Sequence, residues 1–145
     1  MSNLFIKGYP TLETNTLRIL LATPEKNSLS TLAAILSEQK DIKLFWAESG
    51  KAALSQVSQY KIDLVVTDQK LEDMTGLEFA REMLRLNPMV NCAVLSDLSP
   101  EQFHQASEGL GLLSQLPVHP GAKDSEGLLA KLKQIRGLLA GEKVL

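Results

Sequence analysis

The sequence lacks the features of secreted, membrane and nucleic-acid-binding proteins. Its 145 residues contain one cysteine, Cys92, so no disulfide can form within the chain, and we expect a cytoplasmic location. No apolar run approaches the ~20 residues that span a bilayer, and the first eight residues do not form a secretory signal. A net charge of −2 provides no field for holding nucleic acid or an anionic membrane. We therefore expect neither as a partner.

Several common catalytic and cofactor-binding motifs are also missing. Gly109 and Gly111 are not followed by the third glycine of a dinucleotide-binding loop, and Gly50-Lys51 lacks the upstream glycine of a phosphate-binding loop. The sequence contains no Gly-x-Ser-x-Gly motif. Its single cysteine and two histidines do not have the spacing of a metal site. These absences argue against an enzyme.

Hydrophobic periodicity predicts one domain of alternating strands and helices. Short aliphatic runs predict strands at 17–22, 42–47, 62–67, 90–95 and 112–118. Apolar residues at helical spacing predict helices at 26–39, at 50–60, from Leu77 to Asn87, from Ser99 to Gly109 and at 124–139. We interpret residues 1–16 as an N-terminal arm, 17–140 as the domain and 141–145 as a tail.

This repeated strand–helix order implies a parallel sheet with helices on both faces. In such a sheet the functional site lies beyond the carboxyl ends of the strands. The residues predicted at those ends are Thr23, Pro24, Glu25, Asp68, Ser96, Asp97, His119 and Pro120. Asp68 follows the third strand directly, so we expect it at the same end of the sheet as Thr23 and His119.

Four short motifs resemble the CheY-like response-regulator receiver family over about residues 17–139. Residues 62–68 read IDLVVTD and are followed eight positions later by Gly76, as in the strand that ends on the phosphoacceptor. Residues 49–54 read SGKAAL and resemble the Asn-Gly-x-Glu-Ala-Leu helix start of the family. Val94-Leu-Ser96 matches the strand that ends in a hydroxyl residue, and His119-Pro120 stands where the family has Lys-Pro.

The resemblance implies a flavodoxin-like (βα)5 three-layer sandwich with a parallel five-stranded sheet in the order 2-1-3-4-5. It also implies a function in two-component signalling, in which a histidine kinase donates a phosphoryl group to a carboxylate, here Asp68. In the family, two acidic residues after the first strand bind Mg²⁺, and a lysine and a hydroxyl contact the phosphoryl oxygens. Ser96 and His119 occupy those last two positions.

Several positions depart from the family pattern. The acidic pair falls on Thr23 and Pro24, neither of which has a carboxylate, and His119 replaces the lysine. Asp97 adds negative charge near the phosphoryl entrance, and Lys70 lies on the loop after Asp68. We therefore predict a pseudo-receiver with weak or no Mg²⁺-dependent phosphorylation and no resident cofactor.

Two alternatives remain open at this stage. One is a working phosphoacceptor that binds Mg²⁺ with help from Glu25 or Asp97. The other is a small ligand-binding or enzyme domain that uses Asp68, Asp97 and His119 as an acid–base cluster.

For the pseudo-receiver, the expected partner is a histidine kinase or another signalling protein. The resemblance also implies a possible homodimer through the face of the fourth helix, fifth strand and fifth helix, with Gln102, Gln105 and Leu116 on it. The arm is expected to be either disordered or docked through its apolar side chains, Leu4, Phe5, Ile6 and Tyr9. Exposed apolar side chains favour docking, either on the same chain or across a dimer.

Overall fold

The structure is a computed structural model that describes residues 16–140, with side chains through residue 136. The predicted arm, except for Thr16, and the predicted tail lie outside these residues. Within the described range the strands are β1 (Leu17–Ala22), β2 (Ile42–Ala47), β3 (Leu64–Thr67), β4 (Asn91–Leu95) and β5 (Ser114–Leu116). All neighbouring strands are parallel, in the order β2-β1-β3-β4-β5. The predicted fold class and strand order are confirmed.

The helices alternate with the strands along the chain. They are α1 (Ser30–Ser37), α2 (Gly50–Tyr60), α3 (Gly76–Leu86), α4 (Pro100–Ala106) and α5 (Ala122–Ala140), and a 3₁₀ turn over Lys26–Leu29 precedes α1. Serine or threonine caps begin α2, α3 and α4, and the caps of α3 and α4 form complete capping boxes. Within the described residues, no helix is long and apolar enough to cross a bilayer.

Several elements are shorter than the sequence predicts, and two of these differences are large and close to the predicted site. The single helix expected at 26–39 begins as a 3₁₀ turn, because the Ser28 amide bonds to the Glu25 carbonyl three residues earlier. The fifth strand covers three residues instead of seven, and it ends before Pro117, which has no N–H group to donate to a sheet ladder. Both differences arise at positions that border the predicted site.

The sheet is buried on both faces, as expected for a parallel sheet. Alternate residues of β1 point to opposite sides. Leu20 packs in a core with side chains of α2, α3 and α4, whereas Ile19 and Leu21 pack with α1 and α5. Burying one such side chain contributes about 1.5–3 kcal/mol. This double core holds the carboxyl ends of β1, β3 and β4 at one edge of the sheet.

Candidate functional site

Thr23 and Asp68 meet because β1 and β3 are adjacent parallel strands. The last pair in their register is Ala22 with Thr67, and the Asp68 amide donates to the Ala22 carbonyl at 2.8 Å. The next residue on each strand therefore leaves the sheet at the same point. There the Thr23 hydroxyl lies 2.7 Å from Oδ2 of Asp68, to which it donates.

Ser28 provides a second hydroxyl to the same carboxylate oxygen. Its Oγ lies 2.7 Å from Oδ2 of Asp68 and 3.1 Å from the Thr23 hydroxyl. Thr23 is 1% exposed and Ser28 is 7% exposed, so Oδ2 faces two buried neutral donors. Each hydroxyl has one hydrogen, and in both cases the carboxylate is its shortest acceptor contact.

The other oxygen of Asp68 is held by the chain that follows. The Gln69 amide donates to Oδ1 at 2.7 Å. The Gln69 side chain in turn accepts from the Asp97 amide through Oε1 at 2.6 Å. Gln69 therefore connects the loop after β3 to the loop after β4.

The donor set beside Asp68 does not fit a magnesium ion. Mg²⁺ prefers near-octahedral oxygen ligands and usually takes one or two carboxylates from the protein. Thr23 contributes a hydroxyl that already bonds to Asp68, Pro24 has no polar side chain, and the Glu25 side chain is exposed and unbonded among the described residues. Within residues 16–136 there is no group of three or more acidic, histidine or cysteine side chains that could hold a metal. The oxygen arrangement around Asp68 is that of a hydrogen-bonded carboxylate.

Among the described residues, neither Ser96 nor His119 forms a hydrogen bond or ion pair with Asp68. Ser96 is 6% exposed, and its Oγ accepts from the Leu98 amide at 3.1 Å, which stabilises the turn after β4. His119 is exposed and makes no hydrogen bond or ion pair with any described residue. The chain leaves β5 at Pro117, and His119 has a left-handed backbone with φ of 53°. Within the part of the chain that the structure describes, His119 has no hydrogen bond or ion pair with Asp68.

Lys70 and Asp97 have exposed side chains that also make no hydrogen bond or ion pair with the described residues. The Lys70 backbone forms an isolated antiparallel bridge with Thr75, which closes the loop after Asp68. Asp97 is tied to Gln69 only through its amide. The acid–base cluster of Asp68, Asp97 and His119 that the enzyme alternative requires is therefore not joined by direct contacts.

Asp73 anchors the loop after β3 to the start of α2. Its two carboxylate oxygens accept from the amides of Gly50 at 2.7 Å and Lys51 at 3.0 Å. The Gly50 hydrogen bond is the main cause that lowers the pKa of Asp73 below its ordinary value of 3.8. A negative charge at the start of a helix is also favoured by the helix dipole.

Gly76 lies where the backbone passes close to Asp68. A Cβ atom at this position would overlap the Asp68 carbonyl oxygen, so only glycine fits without a shift. The glycine eight residues after Asp68 therefore permits the compact return of this loop into α3.

The partner face is only partly as predicted. Gln102 and Gln105 on α4 are exposed, but Leu116 is 4% exposed and packs in the core beneath α1 and α5. Strand alternation turns its neighbour Gln115 to the α4 side, where Nε2 donates to the Leu98 carbonyl at 2.9 Å. Leu116 is therefore not a surface residue of this face.

Sequence reasoning missed three residues that organise the site: Ser28, Gln69 and Asp73. Ser28 lies within a stretch that was predicted as a regular helix, and the distance from its hydroxyl to Asp68 depends on the 3₁₀ turn. The side chains of Gln69 and Asp73 accept hydrogen bonds from the amides of Asp97 and Gly50, which are distant in sequence. The polar run between Asp68 and Gly76 was the available signal for a structured loop, but it did not identify their partners.

Comparison with known proteins identifies the family. The model of the response regulator receiver domain matches residues 19–117. A response regulator receiver protein of Anaeromyxobacter sp. (strain Fw109-5) is 28% identical over 100 residues, which are 69% of this chain and 42% of that protein. The chain thus matches less than half the length of this curated relative.

Solved structures have the same fold. The response regulator domain of Thermotoga maritima CheB aligns with a TM-score of 0.71 and 19% identity, covering 84% of this chain and 97% of that one. The non-phosphorylated HemR receiver domain of Leptospira biflexa aligns with a TM-score of 0.68 and 23% identity, covering 83% and 94%. The family match covers more than half of the sequence, and the chain belongs to the response regulator receiver domain family.

Proposed function

We propose that this receiver domain acts in two-component signalling through protein–protein contacts, with weak or no Mg²⁺-dependent phosphorylation of Asp68. The observation that supports the proposal is the pair of 2.7 Å contacts from the Thr23 and Ser28 hydroxyls to Oδ2 of Asp68. These neutral donors stand on the side of Asp68 where the family resemblance implies the metal.

Charge around Asp68 supports the same proposal. Attack of a carboxylate on a phosphoryl anion needs nearby positive charge to reduce the repulsion. His119 and Lys70 have exposed side chains without a bond to Asp68, and the exposed Asp97 adds negative charge at the edge of the site. Without a cation at Asp68, this electrostatic barrier would remain.

The partner in this proposal is a histidine kinase or another signalling protein that binds the face of α4, β5 and α5. A surface cavity of about 440 Å³ lies on this face, lined among others by Phe103, His104 and Gln115. The same face could serve a second copy of the chain. A kinase that binds without transferring a phosphoryl group would recognise the domain by shape and surface chemistry.

The test is incubation of the unmodified protein with acetyl phosphate and Mg²⁺, followed by intact-mass measurement. We expect no more label than in the Asp68→Asn variant, which serves as the control because its neutral amide cannot act as the nucleophile in place of the carboxylate. Robust Mg²⁺-dependent labelling that disappears in Asp68→Asn would instead establish the working phosphoacceptor. Glu25→Gln would then test whether Glu25 is the substitute ligand.

A further inference from the structure

A groove between α3 and the start of β4 lies among the most exposed apolar side chains of the described residues. We call it the α3–β4 groove. Its volume is about 210 Å³, and its lining includes Leu84, Pro88, Val90, Leu110 and Leu112, with Cys92 at its base. Of the large hydrophobic residues that are exposed, Leu84, Leu86 and Met89 fall in one six-residue stretch beside it, and Leu86 is 60% and Met89 86% exposed. A concentrated apolar surface of this kind marks a binding site more often than scattered exposed residues do.

The groove lies at the edge of the sheet where the chain enters β1. Asp63 connects the start of β1 to the start of β4. Its carboxylate accepts a hydrogen bond from the Arg18 amide in β1 at 2.8 Å, and its carbonyl accepts one from the Asn91 amide in β4 at 3.1 Å. Asn91 itself lines the groove. Only β3 separates β1 from β4, so their starts are about 10 Å apart at ordinary strand spacing.

The segment of chain that precedes β1 has matching chemistry. Leu4, Phe5, Ile6 and Tyr9 are four apolar side chains within six residues. Tyr9 lies seven residues before Thr16, and an extended chain of that length spans at most about 24 Å. This reach exceeds the separation between the start of β1 and the groove.

We propose that Leu4, Phe5, Ile6 and Tyr9 occupy the α3–β4 groove of their own chain. Docking would remove apolar surface of both the arm and the groove from water. The short tether favours the same chain over a second copy, because it keeps the arm at a high effective concentration near the groove. The proposal is independent of phosphorylation at Asp68, which lies at the opposite edge of the sheet.

Cys92 is a natural reporter for the proposal, since it is the single cysteine of the chain and lies at the base of the groove. Burial raises its pKa to about 12, so its reaction with a thiol reagent requires opening of the local structure. In the full chain, we expect the double variant Phe5→Ser/Ile6→Ser to raise the reaction rate about ten-fold. The matched control is Val118→Ser, an exposed apolar residue beyond the opposite ends of the strands, which should leave the rate unchanged.

A second variant tests the contact itself. Leu84→Ser on the rim of the groove should also raise the rate, and combining it with Phe5→Ser/Ile6→Ser should add little, because each change disrupts the same contact. The proposal would be overturned if the combined variant showed the product of the two separate rate increases. It would also be overturned if the Phe5→Ser/Ile6→Ser variant reacted as slowly as the unmodified chain. An effect seen only at concentrations where light scattering shows a dimer would also overturn it, in favour of an arm exchanged between copies.

Discussion

At the scale of single residues, two hydroxyl groups donate hydrogen bonds to one carboxylate oxygen of Asp68. Thr23 and Ser28 both reach Oδ2, and Thr23 also accepts the Glu25 amide at 3.0 Å. The Thr23 hydroxyl therefore takes part both in the turn after β1 and in the hydrogen bonding of the carboxylate after β3. A cation at Oδ2 would have to displace these bonds, and no group of three or more acidic, histidine or cysteine side chains among the described residues could hold it.

Removing one of these hydroxyls should destabilise the fold. A hydrogen bond to a charged group contributes about 1.5–3 kcal/mol when buried, and Asp68 is partly exposed, so we expect Ser28→Ala to lower the free energy of unfolding by about 1–2 kcal/mol. Urea denaturation measures this difference. The matched control is Ser30→Ala, whose exposed hydroxyl bonds only to the Asn27 carbonyl and should change stability by less than about 0.5 kcal/mol. Equal effects of the two changes would show that the Ser28 bond to Asp68 is unimportant.

The sequence allowed some of these contacts to be predicted. Thr23 was expected near Asp68 because the family resemblance implies that β1 and β3 are neighbours, and the structure brings the two residues together. Ser28 was missed because its position depends on a 3₁₀ turn that periodicity does not distinguish from a regular helix. His119 was expected near Asp68, and the structure shows no hydrogen bond or ion pair between the two described side chains.

At the scale of elements, the loop between β3 and α3 is held by several hydrogen bonds, three of which set its position relative to the site. Gln69 binds the Asp97 amide, Asp73 binds the start of α2, and the Gly76 amide donates to the Gln69 carbonyl at 2.9 Å. The loop that bears Asp68 is therefore connected to α2 on one side and to the loop after β4 on the other.

The Asp73 anchor should make stability depend on pH in the acidic range. Its folded-state pKa is lowered below 3.8, chiefly by the Gly50 amide, so its contribution is complete above that value and is lost as pH falls through the lower folded pKa. The unmodified protein should therefore be more stable than Asp73→Asn at neutral pH, and the difference should shrink below pH 3.8. Urea denaturation of both proteins across this pH range measures the difference in the free energy of unfolding.

The comparison control is Glu72→Gln, whose exposed side chain makes no hydrogen bond or ion pair with the described residues. A difference that persists unchanged at the lowest pH would contradict the role of the carboxylate charge.

The elements themselves were largely predictable, whereas their ends were not. Aliphatic runs located all five strands, and the helix caps at Ser49 and Ser99 coincide with helix starts expected from the sequence. The fifth strand was predicted too long because Leu112 and Leu113 are apolar but pack outside the ladder. Apolar residues in a sequence indicate burial, and residues are buried in loops as well as in strands. An apolar run therefore does not fix where a strand ends.

At the scale of the whole molecule, the order β2-β1-β3-β4-β5 brings the ends of β1, β3 and β4 together. Strand–helix alternation predicted a parallel sheet, but the order of the strands came from the family resemblance, because alternation alone is compatible with several orders. The fold of a phosphoacceptor domain is thus retained around a carboxylate whose surroundings do not fit the metal. We infer that Thr23 and Pro24 after β1, together with Asp97 after β4 and His119 after β5, cause this poor fit to Mg²⁺ and to a phosphoryl group.

Rebuilding the site tests that claim most directly. The variant Thr23→Asp/Pro24→Asp/Asp97→Ala/His119→Lys restores the acidic pair and the lysine that the family resemblance implies, and it removes the added negative charge. The control is the same variant with Asp68→Asn. Both are incubated with acetyl phosphate and Mg²⁺ beside the unmodified protein, and the phosphorylated fraction is read from intact mass. The account predicts Mg²⁺-dependent labelling of the rebuilt protein alone; labelling of the unmodified protein to the same extent would contradict it.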